Sequence, residues 1–180
     1  MAPLRTIAGT TTGLIGPKSI AVDSMNNEIF VMNYLLASPL GQPFVSITVY
    51  QRTANGNATP LRTISGGSTG LQYANCIVID SQRNEIYVGN KDSISVFSRT
   101  ANGDIAPLRT IAGSSTGFKW IDGIAIDIAR NELYVASGES ISVFPRTANG
   151  NVAPLRTIAG SSTGLRFSSG YSSGLALSTH

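Results

Sequence analysis

The chain has one cysteine, Cys76, and one histidine, His180 at its last position. A single cysteine excludes an intrachain disulfide and every multi-cysteine metal motif. A single terminal histidine leaves no base to activate a serine elsewhere in the chain. Charge is also scarce, with 13% of the 180 residues being Asp, Glu, Lys or Arg, while Ser, Thr, Asn and Gly are abundant. The surface is therefore covered largely by neutral polar groups, a composition that favours a periplasmic or extracellular setting. No apolar run approaches the ~20 residues needed to cross a bilayer, and the opening MAPLRTIAG does not have the layout of a signal peptide. An apolar fraction of 42% is enough to build one domain, residues 1–180, with a real core.

The formal net charge of +3 and the isoelectric point near 9.2 raise the question of nucleic acid. The ten arginines answer it: four lie in a PLRT motif (Arg5, Arg62, Arg109, Arg156) and three in an RTANG motif (Arg52, Arg99, Arg146). They are spread by a repeat, with no basic run and no interleaved aromatic stripe, so nucleic acid is not an expected partner.

What the chain does have is repetition. APLRTIAG at Ala2–Gly9 returns as TPLRTISG at Thr59–Gly66 and as APLRTIAG at Ala106–Gly113 and Ala153–Gly160, at spacings of 57, 47 and 47 residues. A period in the forties made of short alternating strands marks a propeller blade. The first strand of each unit reads SIAVD from Ser19, CIVID from Cys76 and GIAID from Gly123, nearly continuous apolar runs that suit burial on both faces. The second reads EIFVMN, EIYVGN and ELYVAS, and the third SITVY, SISVF and SISVF with period-2 alternation. The fourth is PLRTI, where Pro60, Pro107 and Pro154 mark an outer edge. The fold class is all-β, with blades of four antiparallel strands at approximately 18–66, 75–113 and 122–160 and flanking half-blade strands at 3–8 and 174–178.

The IAVD-like first strand followed by an xIYVxN-like second strand resembles the NHL and YVTN classes of β-propeller, over nearly the whole chain. The departure is at Ser137, which stands in ELYVAS where the pattern has Asn. About three and a half blades cannot close a ring, since propellers use about four to eight. Missing chain or oligomerisation is expected to complete it, and Met1, which falls inside a repeat unit, suits a piece of a longer product.

Several motifs could carry chemistry. GGSTG at Gly66–Gly70 and GSSTG at Gly113–Gly117 and Gly160–Gly164 match G-x-S-x-G, but that motif needs a strand, a strained elbow and a helix. Here it recurs as a loop between blades, so Ser68, Ser115 and Ser162 are expected to be inert parts of flexible turns. Asp23, Asp80 and Asp127 close the first strands, and Arg62, Arg109 and Arg156 recur in PLRT. A group copied into every blade is expected to be structural, the aspartates satisfying backbone and the arginines bonding main chain or nearby acids. No catalytic residue, cofactor or metal ligand is assigned.

Positions that vary on a constant scaffold are the better candidates for binding. Lys18, Asn75 and Asp122 lead into the first strands, the last two preceded by Tyr73 and Trp120. The resemblance places this connection at the mouth of the central channel, making Lys18, Tyr73, Asn75, Trp120 and Asp122 a candidate ligand site. It also implies a rival: Asn75 and Asp122 match half of the Asn, Asp and Glu set that holds a divalent cation in lactonase-like propellers, although Lys18 disfavours a cation. The second candidate is the long link between strands two and three of the first blade, Tyr34 to Val45, where later blades use Lys91-Asp92 and Gly138-Glu139. Tyr34, Leu35, Leu36, Leu40 and Phe44 form an expected partner contact, and Pro39 and Pro43 should prevent the link from simply prolonging both strands. The functional expectation is a non-catalytic binding or scaffolding propeller with a protein partner or self-association. The alternatives are a propeller hydrolase with a channel metal, revealed by an ion on Asn75 and Asp122, and a purely structural subunit of a surface layer.

Overall fold

A computed structural model describes residues 1–36 and 43–165, together with Leu175. The expected strand Gly174–Ser178, apart from Leu175, and the contact residue Leu40 lie outside the described residues. Three four-stranded antiparallel sheets follow one another. Blade 1 is β1(Pro17–Asp23), β2(Glu28–Leu35), β3(Phe44–Gln51) and β4(Arg62–Ile64). Blade 2 is β5(Cys76–Asp80), β6(Glu85–Gly89), β7(Ser93–Ser98) and β8(Arg109–Ala112). Blade 3 is β9(Ile121–Asp127), β10(Glu132–Ser137), β11(Ser140–Pro145) and β12(Arg156–Ala159). Strands pair in chain order within each blade, and β1, β5 and β9 pack beside one another at the inner side. The architecture is that of a β-propeller sector.

Local chemistry explains each boundary. Asp23 accepts the backbone N–H groups of Met25 and Asn26, Asp80 that of Arg83, and Asp127 that of Arg130, which closes each turn after the first strand. The turns end at Asn27, Asn84 and Asn131 with φ of 57°, 54° and 57°, a left-handed conformation that asparagine tolerates. At equivalent positions late in or just after the second strands, a side-chain oxygen accepts an N–H from the preceding inter-blade loop: Asn33 from Ile15, Asn90 from Gln72 and Ser137 from Lys119. Ser137 thus performs the asparagine's task, so its departure from the pattern leaves the blade intact.

Alternating side chains on each sheet face neighbouring blades and make two cores. Phe30, Met32, Ile47, Val49 and Ile64 of blade 1 pack on Ile77, Ile86, Val88 and Phe97 of blade 2. Tyr87, Ile94, Val96 and Ile111 from the other face of blade 2 pack on Ile124, Leu133, Val135 and Phe144 of blade 3. Burial at roughly 25 cal/mol per Å² makes these faces the main stabilising term.

The fourth strand is not a free edge. Gly103 N–H donates to Thr63 O (2.7 Å) and Ser65 N–H to Gly103 O (3.2 Å), so β4 is hydrogen-bonded to the RTANG turn of the next blade. The same parallel bridge joins Ile111 to Gly150, and Ile7 to Gly56. The segment expected as a lone strand at 3–8 is therefore a single bridge, because it has a partner on one side only. The loop after each PLRTI is also not the flexible turn expected: residues 67–69, 114–116 and 161–163 form 3₁₀ turns in which a threonine hydroxyl (Thr69, Thr116, Thr163) donates to a glycine carbonyl at 2.7–2.8 Å. The long link of blade 1 corrects another expectation. Tyr34 pairs with Val45 and Leu35 with Phe44, so the strands are prolonged by two residue pairs. Pro43 stands just outside the ladder, where its missing N–H costs nothing, and Val45 belongs to the core.

Each junction needs glycine. Gly66 and Gly113 lie at φ 128° and 120° with ψ near 174°, a region essentially reserved for glycine, and an added Cβ would stand 2.3 Å from Asp104 and 2.5 Å from Asn151 of the next blade. Gly160 shares the strained backbone (φ 108°) but has nothing within 4 Å. Gly113→Ala is expected to cost strain plus the junction, and Gly160→Ala the strain alone, about 1–3 kcal/mol. Urea unfolding should show a clearly lower midpoint for the first; equal midpoints would mean that the junction contributes nothing.

Candidate functional site

The recurring arginines meet glutamates that the sequence reading did not single out. Arg109 grips Glu85 through two bonds of 2.6 and 2.9 Å, and its Nη2 also donates to the Tyr87 hydroxyl (2.9 Å) and to Arg146 O (3.1 Å) of the next blade. Arg62 holds Glu28 in the same way at 2.9 and 2.8 Å, and Arg99 of blade 2 reaches back to Glu28 at 2.6 Å. Arg146 Nη1 lies 2.9 Å from Asp80 Oδ2, a close ion pair whose angle is off hydrogen-bond geometry. Arg156 pairs with Glu132 at 2.6 Å but faces solvent. The signal was present in the sequence: a glutamate repeated in every blade on a mostly buried strand requires a repeated cation.

At the opposite end of the inner strands, Lys18, Asn75 and Asp122 occupy equivalent positions. Lys18 and Asp122 sit in β-bulges, between Pro17 and Ser19 and opposite the Ala136–Ser137 step, and Asn75 precedes β5 with its N–H on Gly89 O (2.8 Å). A bulge re-aims the extra side chain. The structure brings these residues together: Lys18 Nζ donates to Asn75 Oδ1, and Asn75 Nδ2 donates to Ile121 O at 3.0 Å. This chain of bonds links all three blades. Asp122 is buried, and its Oδ1 has no partner. Burial pushes its carboxyl up while Lys18 pulls it down, with burial prevailing. Burial likewise lowers Lys18, against the pull of Cys76 and Asp122.

From Lys18 a row of aromatic rings also starts. Tyr34 and Tyr73 have centroids 6.4 Å apart, as do Tyr73 and Trp120, with tilts of 42° and 57°. Lys18 Nζ lies 4.8 Å from the Tyr34 ring centre, a cation–π contact. Tyr34, expected from the sequence as part of the partner contact, thus groups with Lys18, Tyr73 and Trp120. Tyr73 holds φ 51°, where the equivalent residue of blade 1 is Gly16 at φ 58°. A tyrosine there carries about 1–2 kcal/mol of backbone strain, which periodicity alone does not reveal. Leu35 and Phe44 extend the ladder beyond Tyr34 and, with Leu36, are exposed.

The groups singled out for other chemistry are engaged elsewhere or held out of their reactive form. Burial pushes the Cys76 thiol up to about 12, far from thiolate at neutral pH. The backbone N–H groups of Ser68 and Ser115 are committed to Asp104 Oδ1 and Asn151 Oδ1, both at 2.7 Å. Among the described residues no three His, Cys, Asp or Glu side chains come together as metal ligands, and the Asn75 oxygen that a cation would use already carries Lys18. Among the described residues no helix is long and apolar enough to cross a membrane.

No family model and no curated protein matches the chain. Solved structures do. The chain is similar to the WD40 β-propeller domain of Doa1 (12% identity, TM-score 0.51, 79% of this chain and 40% of that one). It is similar to a chain of the nidogen/laminin complex (16%, TM-score 0.62, 92% and 54%) and to a eukaryotic initiation factor (13%, TM-score 0.53, 82% and 33%). At these identities the likeness shows the β-propeller fold, and the chain spans about half or less of each of these structures.

The Arg109–Glu85 bond makes a pH-dependent contribution. Burial alone would raise the Glu85 carboxyl, but the bonds from Arg109 and Tyr87 outweigh it and hold the group below its usual 4.5. A carboxyl depressed on folding adds stability above its unfolded value, and this is lost as pH falls through the folded value. Arg109→Ala is expected to cost about 1.5–3 kcal/mol at neutral pH and to flatten the loss of stability below pH 4.5. Arg156→Ala, at a solvent-facing pair, should cost clearly less. Thermal unfolding from pH 3 to 7 checks both; equal costs would contradict the distinction.

Proposed function

We propose that this chain, residues 1–180 as one domain, is a non-catalytic binding scaffold of the NHL or YVTN type, presenting its channel-mouth end to a protein partner. The observation that carries the reading is the row Tyr34–Tyr73–Trp120, continued by exposed Leu35, Leu36 and Phe44. Aromatic side chains with an apolar body and a polar tip supply contact area at low entropic cost. In this reading Lys18, Tyr73, Asn75, Trp120 and Asp122 form the recess, and Tyr34, Leu35, Leu36 and Phe44 its apolar rim. Asp23, Asp80, Asp127, Arg62, Arg109 and Arg156 are framework. The strained tyrosine supports the same assignment, because strain of this kind collects where function holds a side chain in place.

A photo-crosslinking residue at Leu36 or Tyr73, in the cells that make the protein, should yield a discrete adduct that Trp120→Ala abolishes. The same probe at Gln82, in the turn at the opposite end of blade 2, should yield none. Equal labelling at both ends would contradict the reading.

A further inference from the structure

Asparagine precedes glycine at Asn55-Gly56, Asn102-Gly103 and Asn149-Gly150, and each pair closes an RTANG motif. This dipeptide is open to intramolecular attack, because glycine has no side chain to obstruct the approach of its backbone nitrogen to the asparagine Cγ. All three asparagines are exposed, so water and hydroxide reach them. Unrestrained, they would convert.

The blade junction restrains both reacting groups. Gly103 N–H, whose nitrogen would attack, donates to Thr63 O at 2.7 Å, and Asn102 Oδ1, on the carbon that would be attacked, accepts the N–H of the same threonine at 3.1 Å. Gly56 N–H likewise donates to Thr6 O at 2.7 Å, and Asn55 Oδ1 accepts Thr6 N–H at 3.0 Å. Gly150 N–H donates to Thr110 O at 2.7 Å. A backbone nitrogen is a nucleophile only once it has lost its proton, and a short bond to a carbonyl oxygen keeps that proton in place. The residue after the glycine braces the turn further. Asp104 Oδ1 accepts Ser68 N–H and Asn151 Oδ1 accepts Ser115 N–H, both at 2.7 Å.

We propose that the Asn-Gly steps at the junctions are self-modification sites gated by the separation of neighbouring blades. When the junction at Gly103 opens, its N–H loses the carbonyl acceptor and gives its proton to hydroxide. The nitrogen then bonds to Cγ of Asn102, the Cγ–Nδ2 bond breaks, and ammonia leaves after taking a proton from water, which returns the hydroxide. A succinimide ring remains. Water opens the ring at either carbonyl, giving aspartate or isoaspartate. Aspartate keeps the backbone length and an oxygen for Thr63 N–H. Isoaspartate routes the main chain through Cβ, and the added atom takes the Gly103 N–H and carbonyl out of register with Thr63 O and Ser65 N–H, the groups they meet at 2.7 and 3.2 Å. A junction converted in this way does not reclose, so the reaction records blade separation irreversibly.

The test follows conversion at each site in the intact protein at mildly alkaline pH. Digestion and mass spectrometry read the exchange of ammonia for water in each peptide, and chromatography resolves isoaspartate from aspartate. The reference is the same chain unfolded in guanidinium chloride. Asn102 and Asn149 should convert at least about tenfold more slowly in the folded chain, because attack waits for local opening. Asp104→Ala and Asn151→Ala each remove one bond from one junction at an exposed side chain, so neither opens a core. Each rate is normalised to that variant's own unfolded chain. Asp104→Ala should then speed Asn102 about two- to tenfold and leave Asn149 unchanged, and Asn151→Ala should do the reverse. Equal rates in the folded and unfolded parent would overturn the proposal, as would a folded variant that accelerates both sites or neither. Should a variant unfold, the parent comparison decides. Isolated isoaspartate chains should also unfold at lower urea than the aspartate chains; equal midpoints would overturn the claim that the junction stays open.

Discussion

The structure depends on one contact, made three times among the described residues: the backbone of a PLRTI segment joined to the RTANG turn of the following blade. A four-stranded sheet of this size has two apolar faces and cannot bury both alone. The junction sets one sheet against the next at the distance where Phe30, Ile47 and Ile64 meet Ile77, Ile86 and Phe97. Its bonds are few and short, such as Gly103 to Thr63 O and Gly150 to Thr110 O at 2.7 Å, and Asp104 and Asn151, which follow two of the RTANG turns, accept the Ser68 and Ser115 N–H groups of the preceding blade's 3₁₀ turn. The glycines of the junction follow from that proximity, because a side chain there would occupy the space of Asp104 or Asn151.

A second, polar layer reinforces the same register. Glu28 and Glu85 each bind an arginine from their own blade, while Arg99 adds a bond from the next blade to Glu28 and Arg109 reaches the carbonyl of Arg146. Buried charges are tolerated because each one is matched and further bonded. A chain with so few charged residues concentrates much of its charge in these seams. This explains why the basic balance is poor evidence for an acidic partner.

The strands, their order and the blade period were legible in the sequence because alternation and turn residues act locally. The Asp–turn–Asn-Glu signature behaves as its chemistry demands, and Ser137 in place of Asn changes little because its hydroxyl accepts the same N–H. What was not legible depends on neighbours distant in sequence. The pairing of Tyr34 with Val45 competes with the prolines nearby, and only the position of Pro43 outside the ladder allows it. The grouping of Lys18, Asn75 and Asp122 was visible as a set of equivalent positions. That Lys18 bonds Asn75, that Tyr73 is strained and that Tyr34 completes an aromatic row required the blades to be set side by side.

Native-state hydrogen exchange at the Gly103 and Gly150 amides tests the central contact most directly. Both belong to turns that would exchange quickly if the blades were held together by their apolar faces alone. The account predicts protection comparable to Val88 and Val96 in the blade cores. Exchange at the rate of an exposed loop, with the strands still protected, would contradict it.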